Sequence, residues 1–152
     1  MHCCSWKLHP ASSLSMNPEA RVTIRPIRRE DAEAWLRMRK EHWPNGAEDH
    51  APEIAAFFEG SSREPSAVFV AECNSNCIAF MELSVRLDLP GHNGEKVGYV
   101  EGLYVVPEFR GGSLVKQLLR TAQRWAHLEG CCAFASDRSE RVIFDPRFKP
   151  SG

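Results

Sequence analysis

Val100–Lys116 reads VEGLYVVPEFRGGSLVK. The stretch passes from an apolar strand, through a turn marked by Pro107, into Gly111-Gly112 and then an amphipathic helix. The first turn of a helix has backbone N–H groups without intrahelical acceptors, and the helix dipole adds partial positive charge there. A glycine-rich entry lets a ligand approach that backbone closely, so the segment suits a phosphate or pyrophosphate. It is neither a P-loop, since no GK[ST] follows, nor a dinucleotide fingerprint, since the GxGxxG spacing is missing. An ordinary strand-to-helix loop would also contain glycine, so the pattern needs support from the rest of the chain.

Outward from this segment the periodicity alternates. Arg21–Pro26 reads as a strand, and Asp31 is placed to N-cap a helix holding Ala32, Trp35, Leu36 and Arg39 that ends before Pro44. Asn45-Gly46 is a turn. Pro52 opens a short helix with Ile54, Phe57 and Phe58. Ala67–Glu72 and Cys77–Arg86 form a hairpin about Asn74–Asn76. A loop over Asp88–Gly94 leads to a strand over Val97–Val105. Leu114, Leu118, Ala122, Trp125 and Ala126 recur at helical spacing before Gly130. Cys131–Ser136 and Glu140–Phe144 are the last strands. The order β-α-α-β-β-β-α-β-β predicts a mixed α/β domain around one sheet.

With 152 residues the chain is expected to form a single domain over 16–152, preceded by a disordered extension over 1–15. The net charge of −1 argues against nucleic acid or an anionic membrane as partner. No apolar run approaches the roughly 20 residues of a membrane span, and the N-terminus lacks the apolar core of a secretory signal. A cytoplasmic location is expected. The six cysteines, at Cys3, Cys4, Cys73, Cys77, Cys131 and Cys132, are expected to be reduced. No CxxC…CxxC or HxxxH spacing is present, so no metal is expected.

Two carboxylates stand out. Glu101 interrupts an apolar strand, and Asp137 follows the strand CAFAS. A carboxylate at a sheet position is costly to bury unless paired. Two of them near the glycine turn could hold a cationic amine and accept its proton. The alternative is that Glu101 faces solvent and Asp137 caps a turn. Trp43, just before Pro44, is either core packing or a flat wall beside a ligand.

Taken together, RKEHWP (39–44), VEGLYVVPEFR (100–110), KQLLRTAQRWAHLEGC (116–131), ASD (135–137) and ERVIF (140–144) resemble the GNAT N-acetyltransferase superfamily. Within it the chain is similar to the aminoglycoside 6′-N-acetyltransferases of type I. The resemblance implies the acyl-CoA N-acyltransferase fold, acetyl-CoA as co-substrate and an aminoglycoside as acceptor. It implies that Leu103, Tyr104 and Val105 present strand backbone to the pantetheine arm. Arg110, Gly111, Gly112, Ser113, Leu114, Val115 and Lys116 would cradle the pyrophosphate. Trp43, Leu89, Glu101, Asp137 and Glu140 would contact the drug, with Glu101 and Asp137 as the catalytic carboxylates.

The chain departs from the family pattern in two places. The family turn is written [QR]xxGx[GA], whereas Ser113 and Val115 stand at its last two fixed positions. A helix normally separates the ASD and ERVIF strands, and here only Arg138 and Ser139 stand between them. Two residues are too few for a helix but suit a tight hairpin. The C-terminal part of the fold is therefore expected to be truncated, and a homodimer could supply the missing wall in trans. Two further readings follow from the same residues: acetyl transfer to another small amine, and a catalytically impaired deletion remnant.

Overall fold

A computed structural model describes residues 21–45, 49–92 and 94–136 in full, and 141–143 as backbone. The elements are β1 (Thr23–Pro26), α1 (Ala32–His42), α2 (His50–Glu59), β2 (Ala67–Cys73), β3 (Asn76–Arg86), β4 (Val97–Val105), α3 (Leu114–Leu128), β5 (Ala133–Ser136) and β6 (Arg141–Ile143). The predicted order is realised. The extension over 1–15 and the boundary at residue 16 lie outside the described residues.

The sheet has six strands in the order β1-β2-β3-β4-β5-β6. All neighbours are antiparallel except β4 and β5, which run parallel. Such a pair requires a crossover, and α3 is that crossover. Its buried face is Leu114, Leu118, Ala122 and Ala126, a strict i, i+4 series. Trp125, expected on this face, packs at its margin. α3 approaches the sheet closely at Gly98: a Cβ there would lie 2.6 Å from that of Ala126.

The other face of the sheet carries α1 and α2. Trp35, Met38 and Ile54 pack there on Val68, Val70, Phe80 and Tyr104. Trp35 meets Phe57 and Phe58 edge-on, with ring centroids 5.4 and 5.9 Å apart. Burying each such side chain contributes about 1.5–3 kcal/mol. Between the helices and the sheet lies a buried ion pair. Arg39 donates to Glu82 at 2.8 Å through Nε, and Trp35 Nε1–H donates to the same carboxylate at 2.9 Å. Arg39 also reaches Glu53 at 2.7 Å.

One local expectation is corrected. Asp31 stands at the N-cap position of α1, but its side chain makes no capping bond to the helix. It accepts instead from the Arg28 backbone N–H at 2.8 Å and from the Arg25 guanidinium at 2.8 and 3.0 Å. A bidentate arginine competes better for a carboxylate than one helix N–H does. Burial pushes the Asp31 carboxyl up, but hydrogen bonds from Arg25 and Arg28 outweigh it and hold the group below the usual carboxylate value.

The tight turn expected at Arg138-Ser139 lies outside the described residues, but the strands on either side of it pair. Ser136 pairs with Arg141 and Phe134 with Ile143, antiparallel.

Candidate active site

Two features of β4 create the site. The first is a β-bulge. Leu83 pairs with Val100 and Glu82 with Gly102, so Glu101 is the extra residue on β4. The second is its pairing: among the described residues, β5 pairs with β4 from Val97 to Val100, and Glu101–Val105 has a strand beside it only at β3. Along Glu101–Val105 alternate N–H and C=O groups therefore face away from β3 without a strand beside them among the described residues.

Leu103 and Val105 direct their side chains into the core under α3. The Tyr104 ring turns to the opposite face and stacks on Phe80, with centroids 6.1 Å apart. What these three residues can offer a ligand is backbone, the role that the resemblance implied.

The turn follows at once. Pro107–Phe109 is a single 3-10 turn, and Arg110 Nε donates to the Val105 carbonyl at 2.6 Å. The Arg110 guanidinium also lies over the Tyr104 ring, 5.3 Å from its centroid, which anchors the turn to β4. Gly111 has φ of +89°, the left-handed region that favours glycine. Ser113 is the N-cap residue of α3, with no side-chain capping bond. Its hydroxyl accepts from Gln117 at 2.9 Å instead.

Leu114 is buried, so only its backbone is available, whereas Val115 and Lys116 are exposed. A valine side chain directed into solvent leaves the N–H groups of the first helical turn open. The glycine that the turn geometry requires is Gly111, rather than position 113 as the family pattern has it.

The amine side is built from residues distant in sequence. Glu101 is partly buried and is held by Arg86, which donates to both carboxylate oxygens at 3.1 and 2.9 Å. Hydrogen bonding to Glu101 keeps Arg86 charged more firmly than an ordinary arginine. The same guanidinium lies 4.0 Å above the Tyr99 ring centroid. Tyr99 packs in one cluster with Leu89, Val97 and Ala133.

Trp43 closes the strip from the other end. Its indole lies against Gly102, where any Cβ would collide with it. The Arg39 guanidinium sits 5.2 Å from the Trp43 ring, and the Trp43 carbonyl lies 3.0 Å from His50 Nε2. Contacts thus run from Leu89 through Tyr99 and Arg86 to Glu101, and from its neighbour Gly102 to Trp43. Ser84, opposite Tyr99 on β3, is buried with no hydrogen-bond partner for its hydroxyl among the described residues.

Three of the five residues expected on this side, Trp43, Leu89 and Glu101, are therefore linked. Asp137 and Glu140 lie outside the described residues. Glu101 neither faces solvent freely nor stands as an unpaired carboxylate. Arg86 was not legible as part of the site, because its partnership depends on the β3–β4 register and the bulge.

Comparison with known proteins identifies the family. The Acetyltransferase (GNAT) family profile matches residues 32–142. An aminoglycoside N(6′)-acetyltransferase type 1 of Klebsiella aerogenes is 38% identical over 116 residues, which are 75% of this chain and 76% of that protein. A protein of the same name from Salmonella typhimurium is 33% identical over 119 residues, covering 78% and 81% of the two chains. Among solved structures, AAC(6′)-Iy in complex with a bisubstrate analogue, CoA-S-monomethyl-acetylneamine, superposes with a TM-score of 0.69 at 31% identity. The match covers 78% of this chain and 80% of that one. The CoA complex of AAC(6′)-Iy gives a TM-score of 0.68 over 78% of this chain and 77% of that one, also at 31% identity.

Proposed function

The chain belongs to the acetyltransferase (GNAT) family, and on that premise we propose that it transfers the acetyl group of acetyl-CoA to the 6′-amino group of an aminoglycoside. The observation that carries the reading is the order of backbone along β4 and the turn: Leu103–Val105 can offer a ligand only backbone, and Arg110, bonded to the Val105 carbonyl, leads through left-handed Gly111 into the N-terminus of α3. Strand backbone and helix N-terminus then follow one another directly, as a pantetheine–pyrophosphate ligand requires. The relatives' names and the CoA and bisubstrate complexes of AAC(6′)-Iy support the choice of acetyl donor and drug.

In this mechanism the N–H groups from Gly111 to Lys116 bind the pyrophosphate, and the Leu103–Val105 backbone orients the thioester. The 6′-amine must lose a proton to attack the thioester carbon. Arg86 occupies one face of the Glu101 carboxylate, whose remaining lone pairs can hold the ammonium or a water that accepts its proton. The carbon–sulfur bond breaks, and the CoA thiolate takes a proton from solvent. Trp43 and Leu89 form the apolar walls, Asp137 shares the proton-accepting role with Glu101, and Glu140 is assigned to another of the drug's amines. Acetylation removes a positive charge and a hydrogen-bond donor, which would weaken the drug's hold on RNA and confer resistance.

Mass spectrometry of the folded protein with acetyl-CoA and a kanamycin-type drug tests this, with one added acetyl group at the 6′ position expected. A clean zero from folded protein would overturn it. The Arg86–Glu101 pair favours one second reading, an amine of lower charge, because it neutralises a carboxylate that a polycation would otherwise meet. Turnover of a simple amino sugar in preference to the drug would select it. The homodimer rests on the shortened C-terminal region alone, and light scattering of the full chain tests it.

A further inference from the structure

At the end of β4 farthest from the cradle, three side chains of metal-binding type converge. His92 and Glu95 come from the loop between β3 and β4, and Cys132 immediately precedes β5. His92 Nδ1 lies 3.2 Å from Glu95 Oε1. Cys132 Sγ lies 3.9 Å from that nitrogen and 3.6 Å from that oxygen. A tetrahedral zinc ion with bonds of about 2.3 Å to sulfur and about 2.0–2.1 Å to nitrogen and oxygen spaces its ligand atoms about 3.3–3.6 Å apart. The triangle therefore matches one face of such a tetrahedron to within a few tenths of an ångström. We propose that His92, Glu95 and Cys132 bind a zinc-class divalent cation, with water at the fourth position.

Backbone hydrogen bonds hold the donors in place before any ion arrives. Glu95 N–H donates to the His92 carbonyl at 3.0 Å, His92 N–H to the Leu89 carbonyl at 2.9 Å, and Cys132 N–H to the Lys96 carbonyl at 2.9 Å. The donor set of one imidazole, one carboxylate and one thiol selects zinc or cobalt over magnesium or calcium, which prefer oxygen throughout. Glu95 is exposed, so the fourth position opens to solvent.

A thiol ligates as thiolate, so binding releases the Cys132 proton to water as the metal–sulfur bond forms. Four residues of strand separate Val97, at this end of β4, from Glu101, roughly 13 Å at the usual rise, too far for the ion to touch the reacting amine. The ion is accordingly a staple between the β3–β4 loop and β5, not a participant in acetyl transfer.

Titration of the metal-stripped full chain with Co2+ tests the site. The expected result is one saturating equivalent, a thiolate-to-cobalt charge-transfer band in the near ultraviolet, and displacement by Zn2+. Cys132→Ser should abolish the band and weaken binding by roughly tenfold or more, at least the loss seen for an outer-shell partner. His92→Gln and Glu95→Gln should each weaken binding comparably. A Cys3→Ser, Cys4→Ser double variant should leave the spectrum unchanged. Absence of saturable binding overturns the proposal, as does a spectrum that survives Cys132→Ser or disappears with the Cys3, Cys4 pair. Should Cys132→Ser fail to fold, the exposed Glu95→Gln variant decides: unchanged affinity overturns the site.

Discussion

The two halves of the groove are built by opposite means. The cradle is a contiguous run, Arg110 to Lys116, whose side-chain bonds are short-range, such as Gln117 to Ser113 across four residues. The amine side is assembled across the chain. Glu101 meets Arg86 across fifteen residues, and the Arg39 that stacks on Trp43 meets Glu82 across forty-three. Backbone geometry makes the first half, where Gly111 has a positive φ and the Val115 side chain is exposed. Paired charges make the second half, so every member depends on a distant partner.

That contrast sets the order of expected effects. The largest belongs to Arg39→Met, which would strand the Glu82 carboxylate in the core. Losing one partner of a buried pair costs about 3–5 kcal/mol. Urea unfolding should show that loss, and the surviving folded fraction should bind drug poorly while acetyl-CoA binding persists. Equal loss of both ligands would break the division between the halves.

Glu101→Gln comes next. It keeps the shape but removes the charge and the proton acceptor, so kcat should fall by about 10²-fold with the acetyl-CoA KM nearly unchanged. A fall confined to the drug KM would make Glu101 an anchor only.

The pH response of Asp31 is smaller and bears on the frame behind the amine side, since Asp31 and Arg25 tie β1 to the start of α1, the helix that carries Arg39. The folded Asp31 carboxyl titrates below its ordinary value. Its stabilisation is therefore fully present above the unfolded value of about 3.9 and is lost as pH falls through the lower folded one. Asp31→Asn should cost about 1.5–3 kcal/mol at neutral pH, with the gap to the native chain closing only below about pH 4. A gap that persists unchanged into strong acid would remove the charge from the explanation.

The smallest effect is expected at Gly111→Ala. Its backbone lies in the left-handed region, which costs a residue with a Cβ about 1–2 kcal/mol. The acetyl-CoA KM should rise by several-fold, with drug binding untouched. If both ligands weaken together, the cradle is not an independent unit.

The order of elements was legible because its signals are local. The i, i+4 series of α3, the hairpin about Asn74-Ser75 and the glycine at the helix entry each depend on a few adjacent residues. The antiparallel pairing of β5 with β6 was legible for the same reason, since the short link between them leaves no room for a helix. Asp31 was misread as a cap because Arg25, on another element, outcompetes the helix N–H for its carboxylate. The state of Glu101 was hidden as well, for a bulge that shifts pairing between Glu82 and Leu83 carries no obvious sequence mark.

The sequence by itself determined the elements, the glycine-entered helix and the carriers of family likeness, because those follow from hydrophobic period and backbone preference over short spans. Only the tertiary structure decided which charges meet. It gave Glu101 to Arg86, Glu82 to Arg39, and Cys132 to the His92–Glu95 loop across thirty-seven residues. The physical reason is that a charge or a lone pair has no period. Its partner is whichever complementary group the folded sheet brings within about 3 Å, and that distance exists only after the strands have paired.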